Sequence, residues 1–355
     1  MLGCIVQVGV AQDAATVEDD DRALTNNLIS EFDPCAGSPN EAVCRCALEF
    51  PPVTYDTSVP FDLSLPGDRG DYSLAAGRTL MNLIRANVAA IETPSTSERE
   101  MRLFVNPPPT PEAASNLVQL VHTNPGFVDL QLVKTLELPR HLGGEPDRLF
   151  GSIWWHGDSS DLIITFRGTQ TPFEFHLDTL VNNQLLIKCT STGRPLMVCE
   201  GFGTGYLMMR QAILDAIEPY RSRAKRIFIG GHSLGGAIAA IATADLACRG
   251  YAPVTGMTFG QPRVFSPETS MQVDQMQDDE SMILWRVVNA SDPVPAVPPA
   301  AVTGNGVKFK HTSAAAIYLD DPSAQAGKGA AWNHHFYYEG YFDDQRAKAY
   351  GVVGR

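Results

Sequence analysis

The chain is short of positive charge: 27 Lys and Arg face 40 Asp and Glu over 355 residues, a formal net charge of −13, and no Lys/Arg-rich block offsets it. A surface of that sign repels phosphates, which argues against nucleic acid as a partner and against polybasic docking on anionic lipid. Long apolar runs are missing too. A helix crossing a bilayer needs roughly 18 to 20 apolar residues, and the best stretch, Ile227 to Ala244, is broken by Gly230, Gly231, His232, Ser233, Gly235 and Gly236, so no transmembrane segment is expected. Seven cysteines are too few for a disulfide scaffold, and Cys44-Arg45-Cys46 supplies neither the Cys-x2-Cys spacing nor the histidines of a metal site, so no metal is expected. Cys189 and Cys199 flank the turn-rich segment Thr190 to Pro195 and are expected to close a short loop, with Cys35, Cys44 and Cys46 as further disulfide candidates. Cys248, at the end of an apolar helical run, reads as a buried thiol.

What is present is the profile of a globular protein with a substantial core, 44% hydrophobic and 19% charged. The apolar start, Met1 to Val10, runs into Ala11-Gln12 and then the acidic Glu18 to Asp21. Residues 1–11 read either as the remnant of a secretory signal or as a frayed terminus. Residues 1–70, rich in Pro, Asp and Gly, form an extension with no assigned role, and residues 71–355 are expected to form one domain. A helical pattern over 72–91 carries Leu74, Leu80, Leu83, Ile84 and Val88 on one face. A proline connector at 106–111 leads to a second helix over 111–122. From Val128 the texture alternates, with strands over 128–136, 149–156, 162–167, 226–230, 254–259 and 283–288, and helices over 206–223 and 234–246. That alternation implies an α/β fold with a mostly parallel central sheet covered by helices on both faces.

Gly231-His232-Ser233-Leu234-Gly235 is the most informative segment, a Gly-x-Ser-x-Gly between the strand Ile227 to Ile229 and a helix of small residues. A nucleophile elbow needs this context. The serine sits on a sharp strained turn that lifts its hydroxyl beyond the sheet edge, and glycines two residues either side avoid a strand–helix clash. Gly236, Ala237, Ala239 and Ala240 let the helix approach the sheet and offer its N-terminus to a developing oxyanion. The rival readings, a surface serine in a glycine turn or a phosphate-cradling loop, lack support, the latter because no Lys-Ser/Thr follows the glycines.

A serine nucleophile requires a base and a carboxylate to orient it, in the chain order Ser, Asp/Glu, His on this fold. Asp292, just past the strand ending at Asn289 and held in a loop stiffened by Pro293, Pro295, Pro298 and Pro299, is favoured over Asp320 and Asp321. For the base, His311, His334 and His335 all lie downstream, and spacing alone does not choose among them. Trp332, Phe336, Tyr337 and Tyr338 would give the His334/His335 pair a low-water setting.

Together these segments resemble the class 3, fungal-type lipases of the α/β-hydrolase superfamily over roughly residues 125–345. Ile227 to Ala237 is similar to the family's nucleophile segment, Thr258-Phe-Gly-Gln-Pro-Arg-Val264 to the segment after the next strand, and Arg286 to Pro295 to its aspartate segment. Phe166-Arg-Gly-Thr169 resembles the oxyanion stretch, which implies that Thr169 acts beside the N–H of Leu234. The resemblance further implies a lid helix over 171–181 with Phe173, Phe175, Leu177 and Leu180 as its apolar surface, and Asp178 as partner of the oxyanion hydroxyl. The family's Asp-His-x-x-Tyr-Phe pattern falls on Asn333 to Tyr338 and favours His334, with Asn for Asp, Tyr for Phe and a neighbouring His335 as departures; His311 matches a noncatalytic histidine. The implied activity is ester hydrolysis through an acyl-enzyme formed on Ser233, with no cofactor, acting on acylglycerols at a lipid–water interface in a secreted or exported protein. A feruloyl-type esterase or a phospholipase A1 uses the same chemistry, and a noncatalytic α/β-hydrolase recognition module is the alternative from another class.

Overall fold

The computed structural model describes residues 55–65, 72–91, 110–138, 148–190, 193–251, 253–289, 292–298, 306–312, 316–319, 338 and 351–353. The segment 1–11, His334, His335, Asp320 and Asp321 lie outside them, as do Cys35, Cys44 and Cys46.

Helices α1 (Leu74–Ala89) and α2 (Thr110–Val121) precede three antiparallel strands, β1 (Leu130–Leu138), β2 (Arg148–His156) and β3 (Asp161–Phe166). After helix α3 (Pro172–Thr179) comes a small hairpin of β4 (Gln184–Ile187) and β5 (Leu196–Cys199), then α4 (Glu200–Ile217). The chain continues as β6 (Arg226–His232), α5 (Leu234–Cys248), β7 (Val254–Phe259), α6 (Pro267–Asp278), β8 (Met282–Asn289), β9 (Ala316–Leu319) and β10 (Gly351–Val353). The main sheet runs β1-β2-β3-β6-β7-β8-β9-β10, parallel from β3 through β9. This is the α/β fold with a mostly parallel central sheet that the sequence implies.

Successive residues of a strand face opposite ways, and the two cores divide accordingly. Leu162, Ile164, Phe166, Ile227, Ile229, Val254, Met282 and Leu284 join a core with α4, α5 and α6. Ile163, Phe228, Met257, Phe259, Trp285 and Val287 join another with α1, α2 and Leu63. Strands buried on both faces read as continuous apolar runs, which is why the sequence marks β3, β6, β7 and β8 closely. Part of the N-terminal extension is bound to this second core: Asn82 Nδ2 donates to the Asp56 carbonyl (2.9 Å), and Thr79 Oγ1 donates to the Asp62 carbonyl (3.0 Å).

Two expectations require correction. Cys189 is bonded to Cys248, not to Cys199, across 59 residues, and Cys199 is the buried free thiol. The cause is topological, because Cys199 ends β5 and turns inward against α3, where its thiol donates to the Leu180 carbonyl (3.4 Å), while Cys248 at the end of α5 reaches the strap after β4. Helix α4 also begins at Glu200 and ends at Ile217, not over 206–223, with Glu218 to Tyr220 as a 3-10 turn. Gly201, Gly203 and Gly205 obscure its first turns in sequence. They are there for packing, since a Cβ on Gly201 would lie 1.9 Å from the Leu177 carbonyl oxygen of α3.

Closure of a loop this long restrains the unfolded chain strongly. Replacing Cys189 and Cys248 together by serine should lower unfolding free energy by about 4 kcal/mol on the chain-entropy model, measured by urea denaturation; an unchanged midpoint would show that the bridge contributes nothing.

Candidate active site

The parallel strands β3, β6 and β8 end on one edge of the sheet and lead into Thr169, Ser233 and Asp292. β6 ends in Gly231-His232, and Ser233 caps α5 with φ 57° and ψ −125°. A non-glycine residue held there costs about 1–3 kcal/mol. The surroundings impose it: Ser233 N–H donates to the Phe259 carbonyl (2.9 Å), and Ala237 N–H to the Ser233 carbonyl (3.1 Å). A Cβ on Gly231 would lie 2.0 Å from the Gly235 oxygen, and one on Gly235 would lie 2.2 Å from the Arg167 oxygen. Strand, helix and the turn after β3 therefore meet backbone to backbone. A Cβ on Gly168 would come 3.3 Å from Ser233 Cβ, so the turn carrying Thr169 passes beside Ser233. Ser233 and Thr169 are half-buried, and Leu234 is buried as the first residue of α5, where helix N–H groups and the dipole favour negative charge.

A fully buried ion pair fixes that turn. Arg167 binds Glu174 through both terminal nitrogens (2.8 Å each), and both side chains have no exposed surface. Glu174 Oε2 also accepts from the N–H of Gln170 (2.6 Å) and Thr171 (3.0 Å), completing a capping box at the start of α3. One carboxylate thus binds the residues on both sides of Thr169 to each other. Sequence reading overlooked Glu174, although Thr171-x-x-Glu174 is a capping-box signal. At the far end of α3, Thr169 Oγ1 donates to Asp178 Oδ2 (2.7 Å). Asp178 keeps some surface exposure, yet the surrounding protein removes enough water to push its acid up to about 7; the Thr169 hydrogen bond opposes this and nearby Glu174 adds to it.

The four apolar residues of α3 and its end divide. Phe173 and Leu177 are buried in the core shared with α4 and α5, Leu180 is half-buried at its edge, and Phe175 is 40% exposed.

Asp292 follows β8 and is buried. Its Oδ1 accepts from Val294 N–H (2.9 Å) and its Oδ2 from the Tyr338 hydroxyl (2.7 Å), which itself accepts from Asn289 N–H (3.1 Å). Burial, then the charge of Asp292, drives the Tyr338 phenol well above its usual range, so it stays a donor. The aromatic run around 336–338 marked this region in sequence as a low-water setting without revealing the carboxylate contact. Arg263 binds the carbonyls of Ala296 and Pro298, and His311 Nε2 donates to the Pro295 carbonyl (2.8 Å). These contacts pin the loop behind Asp292. His311 is thereby committed to a structural role, and burial lowers its pKa to about 3, with Arg286 adding to the effect. A ring so engaged and so weakly basic is no candidate for the base.

Residues 163–302, which contain Thr169, Ser233 and Asp292, match the family model for class 3 lipases. The chain is similar to the class 3 lipases over that segment, which is less than half of its length. It is 29% identical over 189 residues to phospholipase A1-II 4 of Oryza sativa subsp. japonica, covering 47% of each chain. It is 35% identical over 119 residues to secreted mono- and diacylglycerol lipase 1 of Fusarium solani, covering 32% of this chain and 33% of that one. The structure of Lip2 lipase from Yarrowia lipolytica superposes with a TM-score of 0.46 at 22% identity, covering 68% of this chain and 77% of that one. The chain spans about half or less of the length of these two sequence relatives. His334 lies beyond the matched segment.

The His311 contact carries a pH signature. Its folded pKa lies below the usual 6.5, so the unfolded chain binds the proton first as pH falls. The contribution of His311 to stability is full above about 6.5 and is lost toward pH 3, at up to about 1.4 kcal/mol per pH unit. His311→Gln, which keeps an N–H donor for Pro295, should flatten that part of the acid dependence in urea titrations between pH 6 and 4. A variant as acid-sensitive as wild type would remove His311 as its source.

Proposed function

We propose that this chain is a serine carboxylic ester hydrolase, a triacylglycerol lipase working at lipid interfaces through an acyl-enzyme. The observation that carries the reading is the strained Ser233 elbow beside the Thr169 turn, with Asp292 delivered to the same sheet edge. Ser233 Oγ attacks the ester carbonyl while His334 takes its proton; the C–O bond to the alcohol breaks as His334 returns the proton to the leaving oxygen. Asp292, aligned by Val294 N–H and the Tyr338 hydroxyl, orients the imidazole and stabilises its charge. The tetrahedral oxyanion is held by the N–H of Leu234 and by Thr169. Water then repeats the sequence on the acyl-enzyme, and neither metal nor organic cofactor takes part. The Fusarium relative, a mono- and diacylglycerol lipase by name, supports an acylglycerol substrate. A phospholipase A1 is the second reading, favoured by the Oryza relative.

Residues 71–355 are assigned to this hydrolase domain, with the segment at 55–65 laid against it. Export is supported by the disulfide, a bond of oxidising compartments. The Fusarium relative is a secreted protein, and no described helix is long and apolar enough to cross a membrane. Segment 171–181 is assigned as the lid element. Phe173 and Leu177 root it in the core, so Phe175 and the edge at Leu180 are the surface it offers to lipid.

Hydrolysis of p-nitrophenyl esters from acetate to palmitate, then of emulsified triglyceride and phosphatidylcholine, tests the reading. Ser233→Ala should lose turnover while remaining folded, and His334→Ala should lose roughly three orders of magnitude in kcat, with His335→Ala far milder. Phe175→Ser should slow emulsified triglyceride more than dissolved butyrate. A folded Ser233→Ala protein with more than a few per cent of wild-type activity would end the reading; a preference for phosphatidylcholine would favour the second.

A further inference from the structure

Thr169 Oγ1 has a single proton to give, and in the structure it points toward Asp178 Oδ2, 2.7 Å away. An ionised carboxylate offers only lone pairs. It therefore claims that proton and leaves the threonine oxygen turning lone pairs toward the substrate, the wrong polarity for an oxyanion. A neutral carboxylic acid reverses the chain: its own O–H donates to Oγ1, and the threonine proton swings to the substrate oxygen. We propose that the catalytically competent oxyanion hole is the one in which Asp178 carries a proton, so that this positioning residue sets an upper pH limit on turnover. The inference rests on the ester-hydrolase reading.

The groups packed around Asp178 support the neutral form. On α3, Glu174 lies one turn earlier and raises the acid, while Arg167 is committed through both terminal nitrogens to Glu174. His176 on the same helix has its pKa lowered by burial, which disfavours its cation. From the opposing element come Cys199 and Glu200 at the start of α4. The Cys199 thiol is pushed up to about 12, chiefly by burial, and so stays uncharged. Glu200 beside it also raises the Cys199 thiol. Asp178 itself, raised to about 7 by burial before any other cause, titrates within the working range of a histidine base.

The test is kcat/KM for p-nitrophenyl butyrate, with the rate of Ser233 labelling by a soluble fluorophosphonate, from pH 5.5 to 9.5 in wild type, Asp178→Asn and Thr169→Val. Loss of one oxyanion donor costs about 10²- to 10³-fold when removed outright, so wild type should fall by about tenfold or more between pH 7 and 9. Asp178→Asn, whose amide N–H can donate to Oγ1 at every pH, should hold its rate to pH 9. Thr169→Val should start lower and fall by less than about twofold, because no hydroxyl remains to redirect. The acid limb set by the histidine should persist in all three, which a general structural disturbance would not preserve. A wild-type profile flat from pH 7 to 9, or an Asp178→Asn profile falling in parallel with it, overturns the inference while leaving the hydrolase reading intact. Should Asp178→Asn fail to fold, the wild-type and Thr169→Val profiles decide it. Absence of turnover and of labelling in wild type at every pH overturns the hydrolase reading and this inference with it.

Discussion

Backbone contact at Gly231 and Gly235 is the constraint on which the site depends. With no side chain at either position, β6, α5 and the turn after β3 close to a distance that a single methyl group would prevent. That closeness forces Ser233 into its strained conformation and brings Gly168, and so Thr169, alongside it. Strain of this kind persists only where neighbours over-determine it, and the Phe259 and Ala237 hydrogen bonds do so from two sides. The apolar helix α5, buried along its whole length, supplies the packing that offsets the cost.

Around this contact the protein uses buried polar groups to position and apolar groups to hold. Glu174 gathers Arg167, Gln170 and Thr171 into one cluster, which fixes the turn carrying Thr169. A buried ion pair is a weak source of net stability, because dehydrating two charges consumes most of their attraction. Its value here is geometric: removing either partner strands a charge and frees the turn. The same division recurs behind Asp292, where Tyr338, Arg263 and His311 fix the loop from three directions. The two cores on opposite faces of the sheet keep the strand ends level, so these separately fixed parts arrive at one edge.

The sequence displays what depends on local pattern. Doubly buried strands are continuous apolar runs, the elbow is a glycine spacing, and Phe166 to Thr169, Thr258 to Val264 and Arg286 to Pro295 are contiguous strings, so Ser233, Asp292 and Thr169 stand out as candidates in the sequence, and the fold brings the strand ends that carry them to one sheet edge. Pairings between distant segments are hidden. The partner of Cys189 is 59 residues away and depends on where α5 ends. The contact between Tyr338 and Asp292 spans 46 residues, and the glycines of α4 look like helix breakers until α3 is laid against them. Residues 171–181 showed their apolar content but not its orientation, since an eight-residue helix gives too few turns to separate a buried face from an exposed one.

The central claim is that Ser233 is an activated nucleophile facing a formed oxyanion hole. The most direct measurement is a crystal structure of the full chain after reaction with an alkyl fluorophosphonate. The account predicts phosphorus bonded to Ser233 Oγ, with the phosphoryl oxygen within hydrogen-bonding distance of Leu234 N–H and Thr169 and an imidazole, that of His334, between Ser233 and Asp292. An adduct on another residue, or a Ser233 adduct whose phosphoryl oxygen points away from Thr169 and Leu234, would contradict it.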